Sequence, residues 1–407
     1  MITIDPDAVL ARLRALDERS GGRRVAWTPA WSQERERLAS ELRALPAVAV
    51  VTDPCGNLWA TLDGEDPRTL VLGSHLDCVP GGGWLDGCLG VMVAAELLSA
   101  AARGGRPRCT LALVDWADEE GARFGRSLFG SAAATGQLSA AELAGLLDER
   151  ETPIALALAE HGVKLQAIGT ASPQIAAASA YLELHIEQGP VLEAQGRSCA
   201  AVAGCIGVRR SRLTFTGEAG HAGTVPMERR RDPVRAAAAV ITAALDAARA
   251  LDGLATVGEL QARPGTATAV AVSCQASVDL RHRELAALQA LEASVLEAAG
   301  AAAGETDTTL AIEPLFSIDP VEFDPTLVAA AVAHTGGLPA LTSGALHDAA
   351  SLARAGIPTA MVFAASRGGV SHSRAEDSSA EDLRQAISAF AALADSTVAR
   401  LAPGAVL

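Results

Sequence analysis

Imidazole nitrogen and carboxylate oxygen are the ligands a borderline divalent cation takes, and one short segment of this chain supplies both. In GSHLDCVPGGGWLDGCLGV, Gly73–Val91, His75 and Asp86 flank a glycine-rich loop that lets the second group fold back on the first. Asp77, two residues along an extended stretch, shares a face with His75 and is placed to accept its other ring N–H and fix the tautomer. Three further segments carry matching chemistry. Asp118-Glu119-Glu120 ends the apolar run TLALVDW; opposite a metal, one glutamate can ligate while another stays free as a base. YLELHIEQGPVLE puts His185 and Glu187 on one face of a strand end, with Gln188 opposite. SRGGVSHSRAED places His372 in a loop of small residues. Taken singly, each histidine reads more simply as a surface or core residue. Together with Asp86 and Glu120 they describe two ions sharing one carboxylate, a pair in which ions sit about 3.5–4 Å apart and the pKa of water falls from 15.7 toward about 7.

Such residues need strand ends to hold them, and the first half of the chain alternates strands with helices. The pattern predicts strands over Ala47–Thr52, Asn57–Leu62, Thr69–His75, Thr110–Trp116 and Tyr181–Glu187, and helices over Trp31–Leu45, Val91–Ala102, Ala140–Leu147 and Pro153–His161. That is an α/β class with a mainly parallel sheet, in which ligands bind beyond the carboxyl ends of the strands. From about Val208 the pattern turns α+β. It gives strands Ser211–Thr216, Ala267–Val272, Gln275–Arg281 and Thr308–Pro314, with helices Asp232–Leu251 and Glu284–Ala299. Helices Pro325–His334 and Asp348–Ala355, strand Thr359–Ala364 and a helix near Glu381–Leu401 return to α/β character. The organisation read from this is a metal-binding domain over residues 1–207 and 323–407, interrupted by an inserted domain over 208–322.

The 407 residues exceed one ordinary core. Apolar content of 49% with 20% charged residues marks a globular chain, and 3% aromatics leaves the core to Ala, Val and Leu. A formal charge of −15 argues against a nucleic-acid partner and against adsorption to an anionic membrane. MITIDPDAVLARLRALDERS has acidic residues too early for a secretory leader, and no uncharged apolar run is long enough to span a bilayer. The 7 cysteines are scattered, odd in number and without a C-x-x-C pair, which fits reduced thiols in a cytoplasm.

GSHLDCVPGGGWLDGCLGV, DEEGARFGRSLFGS, ELHIEQGPVLE, TFTGEAGHAGTVPMERRRDP, SVDLR, and SGALHDAA with GVSHSRAED together resemble the dinuclear-metal amidohydrolases of the N-carbamoyl-L-amino-acid hydrolase, β-ureidopropionase and allantoate amidohydrolase group, allied to the metal aminopeptidases. They run in the family's order from Gly73 to Asp377. The resemblance implies that Asp86 bridges two divalent ions (Zn, Mn, Co or Ni), with His75 and His185 completing one and Glu120 and His372 the other. It makes Glu119 the general base. It makes the inserted segment a lid and dimerisation domain, so that a homodimer is expected. In it His221 of GHAG steadies the oxyanion, reaching an active site from the partner subunit, and Arg281 of SVDLR holds the substrate carboxylate by a bidentate pair. Gln188 would contact a small ureido acid, and Thr268 and His347 fall at substrate-binding positions. The implied reaction is hydrolysis of a carbamoyl C–N bond with release of ammonia and CO2. Allantoate amidohydrolase is the alternative, and an N-acyl deacylase, a dipeptidase or a non-catalytic binding protein stands behind it.

Two departures bear on the substrate. Relatives carry an asparagine in a stretch like PNAINVIP, where this chain reads PGTATAVA with Thr268; they carry a glycine where Leu346 stands beside His347 and Asp348. Cys78, where relatives often have threonine, reads as a packing change. Arg281 also admits a plain pairing with Asp279. Arg229, Arg230 and Arg231 suggest a phosphate site but precede a helix start and read as partly structural. Gly81–Gly83 invite a nucleotide, yet no G-x-x-x-x-G-K-[ST] follows. His161, His282 and His334 read as surface residues.

Overall fold

The structure, a computed structural model, describes residues 3–402. It divides into two compact units, Met1–Gly204 with Glu322–Leu407, and Cys205–Val321.

The first unit is built on a nine-stranded sheet. Its leading strands are β1 (Val48–Thr52), β2 (Leu58–Leu62), β3 (Asp66–His75), β4 (Cys109–Trp116) and β5 (Ala178–Ile186). β3 runs parallel to β4 and β5, and β5 parallel to Thr359–Ala364, while β1, β2 and Cys199–Cys205 pair antiparallel at the flanks. The middle is parallel because its strands are apolar on both faces: every residue of CTLALVDW in β4 is buried. After helices α1 (Pro6–Ser20) and α2 (Pro29–Arg43), the glycine-initiated helix α3 (Cys88–Gly104) covers one face with Leu89, Val93 and Leu97, packed with Leu70, Leu72, Leu182 and Leu184. His75, Asp118–Glu120, His185 and the loop after Ala364 therefore all lie at or just past the carboxyl ends of the parallel strands. Helix α1 was not legible in the sequence, because charged residues fill the positions between Val9, Leu13 and Leu16 that reach the core.

The second unit is a four-stranded antiparallel sheet, ordered Thr309–Ile318, Gly207–Thr216, Ser273–His282, Leu254–Arg263. Helices Pro233–Ala250 and Leu285–Glu305 bury Val240, Ala244, Leu288, Leu291 and Val295 against Leu213, Phe215, Cys274 and Val278. Leu285–Glu305 is long and apolar enough by composition to cross a membrane, but here those leucines are core.

Several expectations are corrected. The strand expected over Ala267–Val272 is only Ala269–Val270, paired with Gly220–His221; the strand beside Ser273–His282 is Leu254–Arg263. That edge strand is mostly exposed and lacks a clean alternation, so its sequence reads as a loop. The helix opened at Ala140 by a Ser139–Glu142 capping box ends already at Leu143. His282 is buried, its Nδ1 accepting the Glu284 N–H and its Nε2 donating to the Leu251 carbonyl. His161 is half-buried between the rings of Trp27 and Trp31, while His334 is exposed.

Candidate metal centre

β3 ends in His75 and β5 in His185-Ile186, so parallel pairing to the same sheet brings both imidazoles to one edge, their rings 5.9 Å apart. Asp86 reaches them from the loop before α3. Its Oδ1 lies 3.2 Å from His185 Nε2 and 3.8 Å from His75 Nε2; its Oδ2 lies 3.3 Å from His372 Nε2. Glu120 Oε2 is 3.3 Å from that same nitrogen. Bonds of about 2.0–2.1 Å to one tetrahedral ion put ligand atoms roughly 3.4 Å apart, so these separations suit ligands closing on a cation. Three groups emerge among the described residues: His75–Asp86–His185 and Asp86–Glu120–His372, with one oxygen of Asp86 turned to each, and Glu183–His185–His347, which shares His185 with the first. Glu120 Oε1, buried and without a hydrogen-bond partner, is an acceptor in want of a positive charge.

Local backbone chemistry explains the placement. Gly87, at φ +64°, turns the chain from Asp86 into α3; a Cβ there would lie 2.4 Å from the His75 carbonyl oxygen and 2.5 Å from its ring. Gly87 N–H points to His185 Nε2 at 3.2 Å, and His185 Nδ1 donates to the Ile186 carbonyl at 2.9 Å. After β4, Asp118 at φ +57° reverses the chain, and its Oδ2 accepts the Trp27 indole N–H at 2.7 Å. Asp77 does more than orient His75. Its carboxylate accepts the backbone N–H of Glu119 and of Glu120, each at 3.2 Å. The nearer acceptor for His75 Nδ1 is the Asp77 carbonyl at 3.2 Å, with the carboxylate at 3.5 Å.

The electrostatics are those of buried charges packed close. Burial, opposed by His75, pushes Glu119 well above the usual carboxylate range, and its Oε2 stands 3.6 Å from His75 Nε2. Burial and then Asp86 push Glu120 up to about 7. The hydrogen bond to Asp86 raises His372 to about 9. Burial lowers His347 well below its ordinary value, leaving a neutral ring.

Gln188, at φ +58°, donates from Nε2 to Asp86 Oδ2 at 2.9 Å and to the Ser371 hydroxyl at 3.0 Å. His347 is buried with its ring 4.4 Å from that of His185 and Nε2 3.0 Å from the Ser343 hydroxyl.

A model of peptidase family M20/M25/M40 matches residues 71–396. The chain belongs to this family. Among relatives, an N-carbamoyl-L-amino-acid amidohydrolase of Paenarthrobacter aurescens is 32% identical over 380 residues, 90% of this chain and 91% of that one. An allantoate amidohydrolase of Bacillus subtilis is 33% identical over 379 residues, 91% of each. A crystal structure of a hydantoinase/carbamoylase family amidase from Burkholderia multivorans superimposes with a TM-score of 0.82 at 29% identity, covering 97% of this chain and 98% of that chain.

In this M20 chain the other residues singled out from sequence lie in the second unit. The short pairing of Gly220–His221 with Ala269–Val270 brings His221 beside Thr268, whose carbonyl accepts the Ala222 N–H at 2.9 Å. Arg230 fastens the same loop through the carbonyls of Val225 and Ala222, so it is a structural member of the arginine run. Arg281 pairs with Asp279 at 2.7 Å, and Arg210 pairs with the same aspartate.

Sequence reading missed two carboxylates. Glu183 lies beneath the centre, accepting from the Ser74 hydroxyl, the Tyr181 hydroxyl and the Ala349 N–H. Strand alternation from His185 back to Glu183 was the available signal. The other is Glu376, four residues beyond His372, in a loop of small residues whose sequence draws attention to the histidine alone.

Proposed function

We propose that this amidohydrolase cleaves the carbamoyl C–N bond of an N-carbamoyl-L-amino acid or a closely related ureido acid. The observation that carries the reading is Asp86: its two oxygens face two separate donor sets, and a buried carboxylate, Glu119, stands against one of them. The residues fit two divalent ions, with His75, Asp86 and His185 holding one and Asp86, Glu120 and His372 the other; Zn, Mn, Co or Ni suits such mixed N/O ligation. When bound, the ions would activate the attacking water and offset the charge developing on the carbamoyl oxygen.

The chain's own groups do the rest. Glu119, with its affinity for a proton raised by burial, takes a proton from the attacking water as oxygen adds to the carbamoyl carbon, and returns it to the departing amine nitrogen. The carbamate left behind breaks down to CO2 and ammonia. His221 steadies the oxyanion, the family role that its GHAG loop supports, and a fixed donor of this kind is usually the largest catalytic contribution. Arg281, turning from Asp279 to the substrate carboxylate, fixes the other end. Gln188 contacts the substrate on leaving Asp86. His347 and Thr268 are proposed to bind substrate, and Leu346, beside His347, is the second position at which substrate choice would be set.

Allantoate is the second substrate reading, favoured by the Bacillus subtilis relative at 33% identity. The wider proposal is a cytoplasmic homodimer formed through the second unit, whose edge strand exposes Leu254 and Leu260; a light-scattering mass near one 41.5 kDa subunit would contradict the dimer. The deciding experiment follows ammonia release by metal-stripped protein from N-carbamoyl-L-amino acids, ureidopropionate and allantoate, with Mn, Zn, Co or Ni added. Release from none of them, with any metal, would reject hydrolysis in favour of a binding protein.

A further inference from the structure

Glu376 belongs to neither ligand group, yet it is 2% exposed and fully engaged. Its Oε1 accepts the backbone N–H of Leu85 at 2.9 Å and of Asp86 at 3.1 Å. Its Oε2 accepts the Ser371 hydroxyl at 3.0 Å, and its carbonyl accepts the Trp84 indole N–H at 3.1 Å. The glycine run that no nucleotide explains gains a reason here. A Cβ on Gly83 would lie 2.1 Å from Glu376 Oε1 and 2.2 Å from its Cδ, so only glycine leaves room for this carboxylate. Both main chain and side chain of Glu376 thus dock on residues 83–86, some 290 positions earlier in the chain.

That docking joins the loop of His372 to the loop of Asp86. Ser371 is the hinge of the join: its hydroxyl lies 3.0 Å from Glu376 Oε2 and 3.3 Å from Asp86 Oδ2, and it accepts from Gln188. One hydroxyl carries one proton and cannot donate to both carboxylates at once. Given to Glu376, it leaves Asp86 Oδ2 a lone pair on the side of His372 and Glu120. The two ligand groups differ in how much they need this. His75 and His185 are buried on strand ends and tied through their own Nδ1 atoms. His372 sits on a loop at φ +54° with a side chain 52% exposed, so its place relative to Asp86 depends on what anchors the loop. Arg374, paired with Asp17, holds the outer side of that loop. Glu376 holds the inner side.

We infer that Glu376 is a positioning residue for the second ion: through Ser371 and the Asp86 backbone it sets Asp86 Oδ2 against His372 and Glu120. This rests on the reading of those residues as ligands of two ions. The test is metal uptake by stripped protein, followed by calorimetric titration and elemental analysis, in wild type, E376Q, E376A and S371A. E376Q keeps a carbonyl for the two backbone N–H groups but turns an NH2 toward Ser371. The expected result is second-ion affinity at least tenfold weaker in E376Q, first-ion affinity unchanged, and an unaltered melting temperature of the metal-free protein. S371A, which leaves the buried carboxylate in place, weakens the second ion in the same direction. Wild-type affinity for both ions in both E376Q and S371A would overturn the proposal. So would joint loss of both ions in E376A together with a lowered metal-free melting temperature and a silent E376Q, the pattern of a purely structural group. Wild-type protein that takes up fewer than two ions would instead remove the two-ion reading itself, and this role with it.

Discussion

Glu119 and Glu120 are adjacent in sequence, and their surroundings separate their tasks. Both amide N–H groups are pinned by Asp77, so the two side chains leave one short turn in fixed directions: Glu120 toward His372, Glu119 toward His75. Replacing Glu119 by Gln keeps size and removes the base. Turnover should fall by roughly two to four orders of magnitude while metal content stays at the wild-type value, measured by initial rates and elemental analysis on the same sample. Most of the activity surviving would reject Glu119 as the base. pH offers a second handle. Glu120, raised to about 7, and His372, raised to about 9, must both lose protons to bind a cation. Both folded values lie above the ordinary ones, so affinity for the second ion should rise as pH climbs through 7 and on toward 9. Binding should also release protons, seen as a buffer-dependent heat in calorimetric titration. A pH-independent affinity from 6 to 9 would contradict that ligand set. At this scale the sequence was informative wherever a reactive side chain stood at a strand end, as His75 and His185 do, or in a loop of small residues, as Asp86 and His372 do. Glu376 was hidden because the backbone N–H groups it accepts from, those of Leu85 and Asp86, lie some 290 positions earlier, which no local spacing announces; Glu183 was signalled only by its alternation with His185.

Elements deliver these side chains by ending where they do. The parallel run of β3, β4 and β5 was legible because both-sided burial leaves continuous apolar stretches. Leu254–Arg263 was not, because an exposed edge strand lacks alternation, and Pro6–Ser20 was not, because charges interleave its core positions. The start of α3 is where an element boundary and the centre coincide. Gly87 → Ala would ask an L residue to hold φ +64° and would drive a methyl into His75. Strain of this kind costs about 1–3 kcal/mol, and relief requires moving His75 or Asp86. The metal-free variant should show a lower urea midpoint with an unchanged slope, and the ion held by His75, Asp86 and His185 should bind at least tenfold more weakly. An alanine variant with wild-type midpoint and wild-type uptake would show that the turn has slack which the 2.4 Å approach denies.

Across the whole molecule, chemistry and stability are divided unevenly between the two units. All five candidate ligands and Glu119 lie in the unit formed by Met1–Gly204 and Glu322–Leu407, whereas His221 and Arg281 lie in Cys205–Val321. Five ligands converge from four separate segments of the first unit, so each ion cross-links chain that the unfolded state would scatter. A ligand that binds only the folded form stabilises it by about 2.7 kcal/mol at a hundredfold excess over its Kd. For a unit of this size that amounts to a rise of roughly 4–5 °C in melting temperature. The second unit has its own core, around Leu213, Phe215, Val240 and Leu291, and none of the proposed ligands. Metal addition should therefore slow hydrogen exchange at the ends of β3, β4 and β5 and in the loops of Asp86 and His372, and should leave the strands Gly207–Thr216 and Ser273–His282 unchanged. In calorimetry the transition that moves with metal should be the one reporting the first unit. Equal protection of both sheets would mean that the ions couple the two units, and would place part of the binding energy outside the ligand set described above.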